Sequence, residues 1–252
     1  MPIWALADLH LAFGAPEKNM EVFGSGWKDY GNKIKENWET TIQPDDLVLI
    51  PGDISWAMKL EDALIDLKWI DALPGTKVIL KGNHDYWWPS NKKLRENLPP
   101  SIHFIHNTTY NWKGVAIGGT RLWDTEEFSF EPYIIFRENP FEKPKTREQI
   151  AEEKVQAQKI FERELERLSM NLSQLDPQAS FRIAMTHYPP IGADLKDSRA
   201  SKILEQYKIN ICVFGHLHNL KKETPLFGEK NQILYAFAAA DYLGFEPLLL
   251  LP

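Results

Sequence analysis

The sequence predicts an α/β fold, and three observations predict it. Short apolar runs alternate with amphipathic stretches, the pattern of strands joined by helical crossovers into a parallel sheet. Three further apolar runs lack an intervening helix and predict a second, partly antiparallel sheet. Aspartate, asparagine and histidine collect just after the apolar runs, at strand ends where open α/β sheets bind ligands. A length of 252 residues, 43% hydrophobic and 25% charged, fits one globular domain and excludes a disordered chain.

In chain order, residues 3–7 read as the first buried strand. Residues 30–41 form an amphipathic helix, 47–51 a strand, 60–72 a helix and 77–80 a strand. The runs at 102–105, 114–118 and 232–238 are assigned to the second sheet. Residues 123–144 carry Phe, Glu and Pro with no period and read as an irregular cap. A long helix follows over 146–175, with Ile150, Ala157, Phe161, Leu165, Leu168, Leu172 and Leu175 on one stripe. Thr146 and Gln149 fit a capping box at its start. Residues 123–178 are thus expected to be an insertion within a single domain spanning 1–252. Then come a strand at 182–186, a helix at 198–207 and a strand at 209–214. The closing 248–251 run is too short to span a membrane and reads as a buried strand or docking segment.

The formal net charge is −6, and the two lysine pairs are short. That balance argues against a dedicated duplex nucleic-acid binder or a nuclease, and leaves room for a small phosphorylated substrate. The apolar segment 3–13 carries Asp8 and His10, which a signal peptide avoids, and no apolar run approaches the length of a membrane span. Cys212 is the single cysteine, so no intramolecular disulfide forms; a reducing, cytoplasmic setting is expected.

The chemistry lies in five blocks. Asp8-Leu9-His10 follows the first strand, Gly52-Asp53 the second and Gly82-Asn83-His84-Asp85 the third. His187 follows the 182–186 strand, and Gly215-His216-Leu217-His218 the 209–214 strand. Residues two apart on extended backbone point to the same side, so Asp8 with His10, and His216 with His218, can each reach one centre. Carboxylate, imidazole and amide donors without a thiolate suit Mn, Fe or Zn. The donors outnumber what one tetrahedral ion needs, and a pair of metals accommodates them. Each block alone is a weak signal; all five at strand ends are hard to explain as turns.

The ordered blocks resemble those of the calcineurin-like metallophosphoesterases, over residues 8–218. The resemblance implies a four-layer α/β/β/α sandwich with two mixed sheets and a dinuclear metal site at the strand C-terminal ends. It implies two divalent metal ions per chain: Asp8, His10 and His218 on one, Asn83, His187 and His216 on the other, and Asp53 bridging. It makes His84 the catalytic, phosphate-facing residue and a metal-bridging hydroxide the attacking group on a phosphomonoester or phosphodiester. Some members have lost their metals and bind protein partners, so a non-catalytic module on the same fold is the alternative from another class; a nucleotide or cyclic-nucleotide phosphodiesterase is a further one. Trp56 stands where many members carry an acid that orients the histidine equivalent to His84, and Asp85 is no obvious substitute. The third block ends in Asp85 and no Asp-Arg-Gly occurs at the second, which argues against a protein phosphatase. His84 in place of arginine argues against the lipid-A-pathway pyrophosphatases.

Aromatics crowd these blocks: Trp56, Tyr86, Trp87, Trp88, Trp123 and Tyr188. They read either as core and rim packing or as a stacking wall for a base or apolar leaving group. On the second reading Trp56, Tyr86, Trp87 and Trp123 touch substrate. Arg121 is either a bidentate phosphate clamp or part of a surface ion pair.

Overall fold

The computed structural model describes residues 2–135, 146–221 and 226–252. Two mixed sheets stack face to face. The first holds β1 (Ile3–Ala5), β2 (Leu47–Ile50), β3 (Thr76–Leu80), β4 (Ile102–Ile105) and β11 (Leu248–Leu251), in the order β11-β1-β2-β3-β4. The second holds β5 (Tyr110–Trp112), β6 (Val115–Thr120), β7 (Phe181–Thr186), β8 (Ile211–Phe214), β9 (Gly228–Lys230) and β10 (Ile233–Phe237), in the order β5-β6-β7-β8-β10-β9.

Pleating explains the layers, because alternate side chains leave a strand on opposite faces. In β2, Leu47 and Leu49 face the second sheet, where they join Val78, Ile117, Met185 and Val213. Val48 and Ile50 face outward, onto Ile34 and Trp38 of α1 (Tyr30–Thr41) and Leu67 and Ile70 of α2 (Leu60–Asp71). On the far side, Ala116, Ala184 and Phe214 meet Phe161, Leu165, Leu168 and Leu172 of one long helix, with Leu204 of a shorter one. These are four layers, α/β/β/α. Parallel strands covered on both faces read as unbroken apolar runs, and β2 is buried at all four positions.

Two sheet assignments differ from expectation. Residues 102–105 form β4 in the first sheet, parallel to β3 with Lys77 opposite Ile102. The crossover is α3 (Asn91–Asn97), seven residues with Leu94 alone buried, too short to show a period. The 182–186 and 209–214 runs lie in the second sheet, where β6, β7, β8 and β10 pair in parallel; antiparallel pairing there is confined to the edges, β5 on β6 and β9 on β10. The closing segment pairs antiparallel with β1 as a buried strand.

The long helix α4 runs Arg147–Leu172, opened by the Thr146–Gln149 capping box. Ile150 is exposed; packing onto the sheet begins near Phe161. Buried Asn171 pins this end, accepting from Gly119 N at 2.6 Å and donating to Thr108 O at 2.9 Å. The preceding cap is irregular as expected through residue 135, apart from a 3₁₀ turn at Glu131–Tyr133; its remainder, 136–144, lies outside the described residues. The last helix, α5, spans Arg199–Gln206.

Because α4 supplies one outer layer, truncating its deepest aromatic acts on the whole fold. Phe161→Ala is expected to cost about 3–5 kcal/mol of stability, read as a lower urea midpoint in one cooperative transition. A midpoint within error of the parent would make α4 an appendage.

Candidate metal centre

The five blocks meet at one rim, and the backbone there is bent to bring them in. Asp8, His10, Asp53 and His216 all hold positive φ, between 45° and 74°. That region is sparsely populated by non-glycine residues, and its cost of order 1–3 kcal/mol each is borne by surrounding contacts. Those contacts are explicit. Asp8 N donates to Gly52 O (3.0 Å), His10 N to Asp53 O (2.9 Å) and Gly215 N to His187 O (3.1 Å). The Asp8 carboxylate accepts from His216 N at 2.9 Å, and Asp53 Oδ1 from His84 N at 2.9 Å. Gly82 and Gly215 are there for close approach. A Cβ on the first would strike Asp53, and on the second Asp8.

Asp85 is the buried fastener. Its carboxylate accepts from Ile54 N (2.9 Å), Ser55 N (3.2 Å), Gly82 N (2.8 Å) and Trp87 Nε1 (3.0 Å). It ties the second block to the third and leaves His84 without an orienting acid. Trp87 is buried as its donor, in the core rather than on the cleft wall.

The ligand-type side chains are brought together in two groups, Asp8 with His10 and His218, and Asp8 with Asp53 and His187. Asn83 Oδ1 lies 2.7 Å from His187 Nε2 and 3.1 Å from His216 Nδ1, so these two adjoin the second group. Asp53 Oδ2 is 3.7 Å from His10 Nε2 and 3.4 Å from His187 Nε2, between the groups. His10 and His218 face each other through their Nε2 atoms at 3.1 Å. His187 turns Nδ1 to Pro51 O at 3.0 Å, and an acceptor there fixes the proton on Nδ1 and leaves Nε2 to ligate. His218 does the same with Asp241 Oδ1 at 3.0 Å. Mixed oxygen and nitrogen donors, converging with outer partners that set the tautomer, fit divalent cations of the Mn, Fe and Zn kind.

Charge is unevenly held. Burial alone would push His187 down, but neighbouring Asp53 and Asp8 outweigh it and raise it to about 9. His218 is pushed down by burial and pulled up by Asp241, again to about 9. Burial pushes Asp8 up, and it drives His10 down to about 3. Asp53 goes the other way: burial would raise it, and the histidines around it hold it well below the usual carboxylate range.

Three neighbours escaped the sequence reading. Asp241 follows β10 outside any of the five blocks. Trp27, with its ring 5.9 Å from His10 and 5.8 Å from His218, comes from a 3₁₀ segment with no period. Tyr30 Oη donates to His10 O at 2.7 Å. The only available signal was Asp241 lying at a strand end.

The other candidate residues are dispersed. Trp56 stacks on His10 (5.0 Å between centroids, 23°) and abuts His84 at 4.4 Å. Tyr86 is exposed, 6.3 Å from His84. Trp123 packs on Tyr188 at 4.9 Å, and Tyr188 lies 3.8 Å from His216. With Phe128 and Phe130 they line a cleft of about 370 Å³ that reaches His216. The Arg121 guanidinium sits 4.4 Å over Trp123.

Comparison with known proteins bears on the family and the fold. The family model described as calcineurin-like phosphoesterase matches residues 1–220. Gene 66 protein of Mycobacterium phage L5 is 30% identical over 91 residues, 35% of this chain and 42% of that protein. The chain therefore spans less than half the length of that relative. Among solved structures, Phosphopantetheinyl Hydrolase (PptH) from Mycobacterium tuberculosis superposes with a TM-score of 0.52 at 15% identity, over 100% of this chain and 96% of that one. GAP50, the anchor in the inner membrane complex of Plasmodium, gives 0.50 at 13% identity, over 96% and 72%. At such identities these two share the fold.

The protonation pattern sets how metal uptake depends on pH. His187 and His218 have folded values above the ordinary 6.5, so their protonated forms stabilise the metal-free protein below about 6.5, and that contribution is lost as pH rises through 9. A cation must displace those protons. Manganese affinity should therefore rise from pH 6.5 to 9 with proton release, measurable by calorimetry in buffers of different ionisation heat. Asp241→Ala should weaken binding about 10–100-fold and shrink the pH dependence. PH-independent affinity would contradict this account.

Proposed function

The chain belongs to the calcineurin-like phosphoesterase family, and from that premise we propose that it is a metal-dependent phosphohydrolase acting on a phosphomonoester or phosphodiester. The observation that carries this reading is the convergence of seven oxygen and nitrogen donors from five strand ends, with His10 and His218 turned face to face. Asp8, His10 and His218 would hold one cation, Asn83, His187 and His216 a second, and Asp53 would serve both. Two cations so held would supply positive charge against phosphoryl oxygens and would lower the pKa of a water towards neutrality.

The protein's own groups do the rest. Asp241 and Pro51 O keep His218 and His187 in the ligating tautomer. Trp56 stacks on His10, and Trp27 sits edge-on to both His10 and His218. The Trp123–Tyr188 cleft supports an apolar or planar leaving group beside His216. His84 stands against an indole where an acid would have raised its pKa. Burial lowers it instead, and its Nδ1 is buried without a hydrogen-bond partner among the described residues. At neutral pH His84 is therefore an uncharged hydrogen-bond donor to the phosphoryl group rather than a proton source for the leaving oxygen. The insertion at 123–178 is the part of this single domain that shapes the cleft. No helix among the described residues is long and apolar enough to cross a membrane, and buried, free Cys212 supports a reducing, cytoplasmic setting.

The direct test is elemental analysis and turnover together. Manganese-loaded protein should carry two ions per chain and hydrolyse nitrophenyl phosphate or bis-nitrophenyl phosphate. Chelation should abolish turnover and added metal restore it. Saturation at one ion or fewer would sink the dinuclear reading.

For His84→Ala, both ions should remain and the rate should fall about 10²–10³-fold, the worth of one preorganised hydrogen-bond donor. As a neutral donor it should cost matched aryl and alkyl esters the same. A much larger loss on the alkyl ester would make His84 a general acid, and loss of a metal ion would make it a ligand.

A further inference from the structure

Beside the metal loops lies a second, smaller cavity that the hydrolytic reading leaves unused. It occupies about 100 Å³ at the ends of β3, β4 and β6, under α4, several times what one water needs. Lys81, Arg121 and Arg167 line it, with Glu164, Thr120 and His106. The one carboxylate is already engaged. Glu164 Oε1 accepts from Arg167 Nη1 at 2.6 Å, and Oε2 from Thr120 Oγ1 at 2.5 Å. His106 turns Nδ1 to Asn91 Oδ1 at 2.6 Å. Lys81 and Arg121 are half-buried and have no ion pair or side-chain hydrogen bond among the described residues; Arg121 stacks on the Trp123 ring, and both cations feel the Glu164 carboxylate from a distance without pairing to it.

Three cations and one satisfied carboxylate therefore share one small space. Like charges brought out of water repel, and this arrangement gains from an anion that accepts from Lys81 and Arg121 together. The guanidinium fork suits a phosphate or carboxylate.

The cavity adjoins the metal loops. Lys81 is two residues before Asn83. The Arg121 carbonyl accepts from His187 N at 3.1 Å and Tyr188 N at 3.0 Å, so the residue just past β6 that carries this cation also holds a ligand loop. Resting on the phosphohydrolase reading, we infer that the substrate carries a second anionic group besides the scissile phosphate, and that Lys81 and Arg121 bind it. The substrate class is a phosphate ester with a remote phosphate or carboxylate.

The test uses α,ω-alkanediol bisphosphates of increasing length against the matching monophosphates, on manganese-loaded protein. One length should be preferred over its monophosphate by about 10–100-fold in kcat/KM, the worth of a charge-assisted hydrogen bond. That ratio should collapse in Lys81→Met and in Arg121→Met, and largely return in Lys81→Arg. A flat ratio at every length, or one that survives both methionine variants, overturns the inference. Carboxyalkyl phosphates of the preferred length distinguish a carboxylate from a phosphate as the remote group. Should none of these esters be turned over, the phosphohydrolase reading fails, and the anion site is judged separately. Calorimetric titration of chelator-treated protein with inorganic phosphate should then give millimolar binding, weakened at least tenfold in Lys81→Met. Absence of binding in the parent protein overturns the site itself.

Discussion

Where the two sheets touch at the rim, the chain has almost no side chain to offer. Ala7 pairs in parallel with Ala239, its N–H donating to Ala238 O at 2.7 Å and its carbonyl accepting from Ala240 N at 3.0 Å. This bridge continues β1 of the first sheet along β10 of the second. Larger residues would hold the sheets apart, as they do in the layer of Leu49, Val78, Met185 and Val213 below. Because the sheets close here, Asp8 and Asp241 emerge side by side from opposite sheets. Blocks from the first sheet then meet His187, His216 and His218 from the second. The site is a consequence of that closure.

Closure creates an electrostatic problem that the backbone solves. Asp8, Asp53 and Asp85 are all buried within a few residues of one another's loops. A buried carboxylate is tolerable only when hydrogen-bonded or neutralised. Asp85 is met by three amides and an indole, and Asp8 by the His216 amide. Asp53 receives one amide and leans on the histidines. The ordering is informative. Asp85, with the fullest set of donors, fastens loops. The two carboxylates with spare lone pairs are those positioned to ligate. The positive-φ strain at Asp8, His10, Asp53 and His216 persists because these same hydrogen bonds over-determine it.

Much of this was legible in the sequence, for a physical reason. Buried parallel strands must be continuous apolar runs, so 47–51, 182–186 and 209–214 declared themselves, and the polar residues closing them stood out. Periodicity also revealed α1, α2 and most of α4. What it could not give was partnership between strands. Residues 102–105 went to the wrong sheet because α3, a helix of seven residues, left no periodic trace. Asp241 was missed because its work lies one shell out: it touches His218 and no block contains it. Ile150 was placed on a packed face because period reports amphipathicity and not what a helix end reaches. Lys81 stands next to a motif glycine, and no pattern in the sequence marks it. Only the fold shows that Arg121 shares its cavity.

Trp56 shows how one substitution in a motif changes the chemistry without disturbing the frame. An acid at this position would give His84 a partner and a raised pKa, and so a proton to donate. The indole gives it neither. It fills the space with apolar area, stacks on His10 and abuts His84. The effect on His84 is opposite in sign, since desolvation outweighs the pull of the Asp53 carboxylate and favours the neutral ring. Cations held by the neighbouring loops would deepen this. On the proposed phosphohydrolase reading, a site built this way would stabilise charge on the phosphoryl group and give a leaving oxygen little help. On that reading it would favour substrates whose leaving group departs readily, or whose binding energy comes from elsewhere on the molecule. The aromatic cleft at Trp123 and Tyr188 and the basic cavity at Lys81 and Arg121 are both placed to supply such binding. On the proposed reading, interactions remote from the reacting atoms would orient an ester, in place of proton transfer from His84.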